Sequence, residues 1–222
     1  MNTPEPLIVA ILGAESTGKT QLARTLSERL EQDTGLSCTW VPEHLRSWCD
    51  KHQRTPRKDE QLAIAQAQQV AIDAAAMQHD VVICDTTPLS TATYSRLLFG
   101  DDSLSPAAVT WQRRCAITLL TALDLPWQAD GLQRDGPHVR TPVDNLLRQA
   151  LLANRLPWAL VSGEGLLREE NALEAIAPLL RHRAMPRDGI LTRLSGRHEE
   201  SSRWYWRCES CDAPDCEHLA QR

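Results

Sequence analysis

The chain has 222 residues, enough for one well-buried domain with an appendage or for two small domains. Its 42% hydrophobic and 24% charged content is ordinary for a globular protein, and a net charge of −5 argues against a surface given over to nucleic acid. No run approaches the roughly 20 apolar residues of a transmembrane helix, and the acid and prolines at the start are not a basic signal-peptide leader, so a cytosolic protein is expected.

Residues 1–6 read as a loose lead-in. The apolar run 7–12 is long enough for one buried strand. It leads into Gly13-Ala14-Glu15-Ser16-Thr17-Gly18-Lys19-Thr20, which fits the phosphate-loop pattern G-x-x-x-x-G-K-[ST]. Leu22, Leu26 and Leu30 then recur every fourth residue and predict a helix to about Glu31, with Gly35 as its stop. Strand, loop and helix aim backbone N–H groups and a positive helix end at one point, where a polyphosphate is expected.

Residues 38–41 predict a short second strand ended by Pro42, and Glu43, His44 and Arg46 leave its carboxyl end, the edge where open parallel sheets hold ligands. Alanine and glutamine dominate 57–79 and predict one long helix. The run 81–85 is a third strand ending in Asp85. An acid there can hold Mg²⁺ or its water shell, or can cap the next segment through Thr86 and Thr87. Helices are expected over 90–99, ending at Gly100, and from Ser105 to Arg113. A fourth strand is expected over 115–120.

Between 124 and 140, glycines alternate with acids and arginines, as suits either a cover over a site or a solvated loop. A helix over 144–154, a fifth strand over 158–161 left by Ser162 and Gly163, and a helix over 167–182 with Pro178 as a kink or fresh start complete the pattern. Alternating strands and helices imply a parallel sheet covered on both faces. The expected fold is therefore an α/β P-loop NTPase: a five-stranded parallel sheet within residues 1–184, followed by a small Cys-rich tail at 185–222.

Five segments together resemble the nicotinamide-riboside kinase domain of bacterial bifunctional NAD-biosynthesis regulators. They are the phosphate loop, Glu43-His44-Leu45-Arg46, Asp85-Thr86-Thr87, Tyr94-x-x-Leu97-x-Phe99-Gly100, and Leu123-Asp124-Leu125-Pro126-Trp127-x-x-Asp130-Gly131. The resemblance covers about residues 5–182. It implies a nucleoside-kinase-like P-loop domain that moves the γ-phosphoryl of ATP to a ribosyl 5′-hydroxyl. Those regulators also carry a DNA-binding domain and an adenylyltransferase domain with an H-x-G-H motif, and neither pattern occurs in these 222 residues.

For that chemistry the resemblance implies ATP and Mg²⁺. Lys19 reaches the β- and γ-phosphates, Thr20 offers its hydroxyl to the metal and Asp85 holds the metal or its waters. Glu43 orients the acceptor hydroxyl and takes its proton, with Asp85 as the alternative base. Arg134 or Arg140 closes over the phosphates. Ser162 and Gly163 stand where such folds place the adenine. Trp127, or Arg46 with Trp48, would contact the acceptor base, unless the tryptophans are simply core. Other nucleoside or nucleotide kinases on the same scaffold, and a nucleotide-dependent switch, are the competing readings.

Seven cysteines are unevenly placed. Cys38, Cys49, Cys84 and Cys115 are scattered and are expected to be buried thiols. Cys208, Cys211, Cys216 and His218 form a tight set that could make a structural Zn²⁺ knuckle, remain free thiols, or hold a redox pair at Cys208 and Cys211. Seven arginines against three acids between positions 181 and 207 make this tail locally basic. It suits either nucleic-acid or protein docking, or a cap packed on the core.

Overall fold

The computed structural model describes residues 5–129, 136–181 and 183. The Cys-rich tail, Arg134 and the Asp130-Gly131 pair lie outside the described residues, as does the proposed second unit at 185–222. Five strands, β1 (Leu7–Leu12), β2 (Cys38–Val41), β3 (Val81–Asp85), β4 (Ile117–Thr121) and β5 (Trp158–Val161), form one parallel sheet in the order β2-β3-β1-β4-β5. Seven α-helices are described: α1 (Lys19–Thr34), α2 (His44–His52), α3 (Gln61–Ala76), α4 (Pro88–Phe99), α5 (Ser105–Gln112), α6 (Arg140–Ala153) and α7 (Leu166–Leu180). This is the expected P-loop α/β fold. Among the described residues no helix is long and apolar enough to cross a membrane.

β1 explains the layering. Successive side chains of a strand face opposite ways, and all six of its residues are buried, so both faces must be covered. Leu7, Val9 and Ile11 pack with Leu22, Leu26 and Leu30 of α1 and with Leu173 and Ile176 of α7. On the other face, Leu12 packs with residues of α4, α5 and α6, while Ile8 and Ala10 pack with Ile72 of α3 and Trp111 of α5. Leu26 is fully buried, and its truncation to alanine would cost about 2–5 kcal/mol.

Several boundaries differ from the sequence reading, each for a local reason. α1 runs three residues past Glu31 and ends where Gly35 adopts φ 70° and its N–H bonds the Glu31 carbonyl. The helix expected over 57–79 is α3 preceded by a 3₁₀ turn at Lys58–Glu60. Its buried face is Ile64, Ala65, Gln68 and Ile72, whereas Leu62, Val70 and Met77 are exposed. α2 was not expected: its nine residues bury only Cys49, so it carries little periodic signal. α6 starts at Arg140, four residues early, because Pro142 is tolerated in a first turn, and α7 continues through Pro178.

Candidate active site

β1 and β3 end side by side, with Ile11 opposite Asp85, and this register brings the phosphate loop against the acid. The loop at 13–20 crosses from β1 into α1 through positive φ at Gly13 (154°), Ser16 (54°) and Gly18 (74°). A Cβ on Gly13 would stand 2.0 Å from Thr121 Oγ1, so only glycine fits there. Gly18 precedes α1 directly, which leaves the first N–H groups of the helix facing the loop's concavity. Lys19 Nζ donates to the Ala14 carbonyl at 2.8 Å, and Thr20 Oγ1 donates to Asp85 Oδ2 at 2.6 Å.

Asp85 is 1% exposed, and its second oxygen, Oδ1, has no hydrogen-bond partner among the described residues. A buried carboxylate oxygen without a donor is costly unless a cation or water completes it. Beside the Thr20 hydroxyl it fits the hard, oxygen-liganded Mg²⁺ that a P-loop fold brings with ATP. Burial pushes the Asp85 carboxyl up, opposed by the Lys19 ammonium, the Thr20 hydroxyl and Arg46. The next residue, Thr86, is held at φ 70°, an unusual conformation for a β-branched side chain, by its N–H bond to the Ile11 carbonyl. Thr87, not Asp85, caps α4 by accepting from Leu89 N–H, so the acid is left to the site.

Glu43 is the residue before α2, and its carboxylate does not cap that helix. The buried Gln68 of α3 holds this junction: its Oε1 accepts from His44 N–H at 2.6 Å and its Nε2 donates to the Pro42 carbonyl at 3.3 Å. Burial raises the Glu43 carboxyl, with Lys19 and Arg46 pulling it down and Asp85 and Glu15 pushing it further up. A cavity of about 790 Å³ opens above these groups, lined by the phosphate loop, Glu43, Arg46, Arg57, Lys58, Tyr94 and Phe99 among others. It has the size of a small-molecule site, and its lining residues are mostly polar and charged, with Leu45, Cys49, Leu98 and Phe99 as apolar patches. Asp85 is not part of the lining but meets it through the Thr20 hydroxyl. Trp48 and Trp127 lie outside it; Trp48 stacks on His52 instead, with centroids 4.0 Å apart.

The Leu123–Trp127 stretch lies across the loop. Ser16 and Gln128 exchange hydrogen bonds at 2.9 and 2.8 Å, and Leu125 packs 3.2 Å from where a Gly18 Cβ would be. Arg140 Nη2 donates to the Leu125 carbonyl at 2.8 Å, so this arginine supports that stretch and stands outside the cavity lining. Ser162 and Gly163 follow β5 as expected, outside the cavity, with Asn171 donating to the Ser162 carbonyl and Gly163 N–H donating to Asp124.

Sequence reading missed Thr121, Gln68 and Arg168. Thr121 ends β4, where it donates toward the Leu12 carbonyl at 3.1 Å and lies 2.7 Å from the Thr17 hydroxyl, which itself reaches the Ala14 carbonyl at 2.9 Å. A polar residue closing an apolar run was its only signal. The buried free thiols at Cys38, Cys49, Cys84 and Cys115 agree with expectation, and burial pushes Cys38 and Cys115 up to about 12. No cluster of metal-ligating residues occurs among the described residues.

Residues 8–168 match the family described as AAA domain. The chain belongs to that family. No curated protein matches it in sequence. Among solved structures it overlays a NadR protein in complex with NAD and AMP-PNP at TM-score 0.60 and 18% identity, covering 78% of this chain and 49% of that one. A NadR protein in complex with NR overlays at TM-score 0.61 and 17% identity, over 78% of this chain and 50% of that one. The chain thus spans about half the length of these relatives, and the likeness establishes a shared P-loop, kinase-like fold.

Proposed function

We propose that this protein is an ATP-dependent kinase that transfers the γ-phosphoryl group to a ribosyl 5′-hydroxyl, with nicotinamide riboside as the first candidate acceptor. The observation that carries this reading is the convergence of Lys19, Thr20 over Asp85, and Glu43 at one end of the cavity. The NR-bound and AMP-PNP-bound relatives of the same fold support the acceptor and the donor respectively.

The acceptor oxygen attacks the γ-phosphorus, its bond to phosphorus forms as the bond to the β-bridging oxygen breaks, and ADP leaves. Little covalent work falls to the protein, so positioning and charge dominate. The loop N–H groups and the Lys19 ammonium hold the transferring phosphate. Thr20 and Asp85 would hold Mg²⁺, which neutralises charge on the phosphate oxygens when bound. Glu43 takes the hydroxyl proton. It lines the cavity whereas Asp85 meets the lining through the Thr20 hydroxyl, which favours Glu43 as base and Asp85 for the metal.

One observation favours a second acceptor class. Arg57, and Lys58 whose ammonium already pairs with Asp101 at 3.6 Å, put positive charge on the cavity wall, which suits a phosphate-bearing nucleotide better than a pyridinium cation. ATP turnover measured against nicotinamide riboside, neutral nucleosides and nucleoside monophosphates tests both. Turnover with nicotinamide riboside alone supports the first reading, and preference for a monophosphate supports the second. Slow hydrolysis indifferent to every acceptor would overturn kinase activity in favour of a nucleotide switch.

A further inference from the structure

We propose that Arg168 is a positioning residue of the phosphate loop: its guanidinium pins the Thr17 carbonyl so that the next N–H, that of Gly18, faces the bound phosphates. The inference rests on the reading that residues 13–20 bind ATP. Arg168 sits in the first turn of α7, far along the chain from the loop, and is 4% exposed. Its Nη1 donates to the Thr17 carbonyl at 3.1 Å, its Nε donates to the Gly163 carbonyl at 2.8 Å, and its Nη2 pairs with Asp124 Oδ1. Asp124 Oδ2 in turn accepts from Gly163 N–H at 2.7 Å.

A buried cation is tolerated only where its partners are complete, and here the guanidinium's fork is filled by two carbonyls and a carboxylate. The consequence for the loop follows from peptide geometry. In a trans peptide the carbonyl and the following N–H point in opposite directions. Holding the Thr17 carbonyl back on the α7 side therefore turns the Gly18 N–H forward, and the left-handed φ of 74° at Gly18 continues the concave run of donors. The charged donor on the carbonyl also polarises the peptide and strengthens its N–H as a donor. Thr121 holds the Thr17 side chain while Arg168 holds its backbone, so the two act on different atoms.

The test is calorimetric affinity of the whole chain for inorganic tripolyphosphate, which contacts the loop without needing a base or an acceptor. Arg168→Met is expected to weaken it about tenfold or more, since a small misplacement of a donor costs that much. Arg168→Lys, a point charge without the fork, should fall between. Arg29→Met is the control: it cuts the Arg29–Glu169 pair between α1 and α7 without touching the loop and should leave affinity within about twofold. If the unaltered chain fails to bind tripolyphosphate, the phosphate-binding reading falls. If it binds and Arg168→Met binds equally well, the positioning role alone falls. Should Arg168→Met not fold, Asp124→Asn loosens the guanidinium while leaving it in place, and unchanged affinity there overturns the proposal too.

Discussion

The two sides of the cavity are built differently. On the phosphate side, the loop is gripped from elements distant in sequence: Thr121 from β4, Asp85 from β3 and Arg168 from α7, each buried. On the opposite side, where the proposed acceptor would sit, the wall is short and local: α2, the turn before α3, and the end of α4, with Arg57 and Lys58 exposed and Leu98 44% exposed. A feature over-determined by long-range buried contacts keeps one geometry, whereas a wall of exposed local pieces can be re-cut without disturbing the sheet. The donor half is thus the constant part of the proposed site and the acceptor half the adjustable one.

Lys19→Ala attacks the constant half most directly. It should lower kcat/KM by about 10³-fold, as loss of a charge aimed at the transferring phosphate does, while circular dichroism stays near normal because, among the described residues, the Lys19 ammonium bonds only the carbonyl of Ala14 within the same loop. Near-normal turnover would end the assignment of this loop as catalytic. Glu43→Gln comes next, with a loss of about 10²-fold in kcat for a general base. Its raised carboxyl adds a pH signature. The base form exists only above that raised value, so kcat should fall with pH along an acid limb lying above the ordinary 4.5 of a glutamate, and Glu43→Gln should erase that limb. Stability should move the other way. A carboxyl raised in the folded state contributes stability below 4.5 and loses it as pH rises through the folded value, so Glu43→Gln should melt higher than the parent at neutral pH. An acid limb that survives in Glu43→Gln would shift the base to Asp85.

Gly13→Ala tests the packing behind the loop. The added Cβ meets Thr121 Oγ1 at 2.0 Å, at a backbone conformation that costs about 1–3 kcal/mol for a non-glycine residue. Melting should drop and ATP affinity fall by about tenfold or more, since the loop must shift to make room. Restored affinity in a Gly13→Ala/Thr121→Ala pair would be the expected partial rescue.

The same contrast explains what could be read in advance. β2, β3 and β5 fall where their apolar runs put them, and the phosphate loop is legible because it concentrates its chemistry in eight consecutive residues. Glu43 and Asp85 are legible as acids at strand ends. Thr121, Gln68 and Arg168 are not, because their partners lie 104, 24 and 151 positions away and nothing local marks them as more than ordinary polar residues. α2 escaped because a helix that buries one side chain leaves no stripe to detect. The opposite wall is only partly legible: the segments at 43–46 and 94–100 stand out, whereas the turn bearing Arg57 and Lys58 between them carries no pattern of its own.

The smallest expected effect belongs to that wall. Arg54 forms a bidentate pair with Glu60 at 2.7 and 2.6 Å, and its guanidinium lies 4.9 Å from the Trp48 ring centroid, so it links α2 to the turn bearing Arg57 and Lys58. The pair holds the Glu60 carboxyl down at about 2, with the Arg57 backbone N–H as a second donor. Because both partners are open to solvent, Arg54→Ala should change stability little. Its effect should fall on recognition: a rise of about two- to fivefold in the acceptor KM from a loosened wall, with the KM for ATP unchanged because no loop contact is touched. If the ATP KM rose in step, the two sides of the cavity would be mechanically one, and the division into a fixed donor half and an adjustable acceptor half would have to be given up.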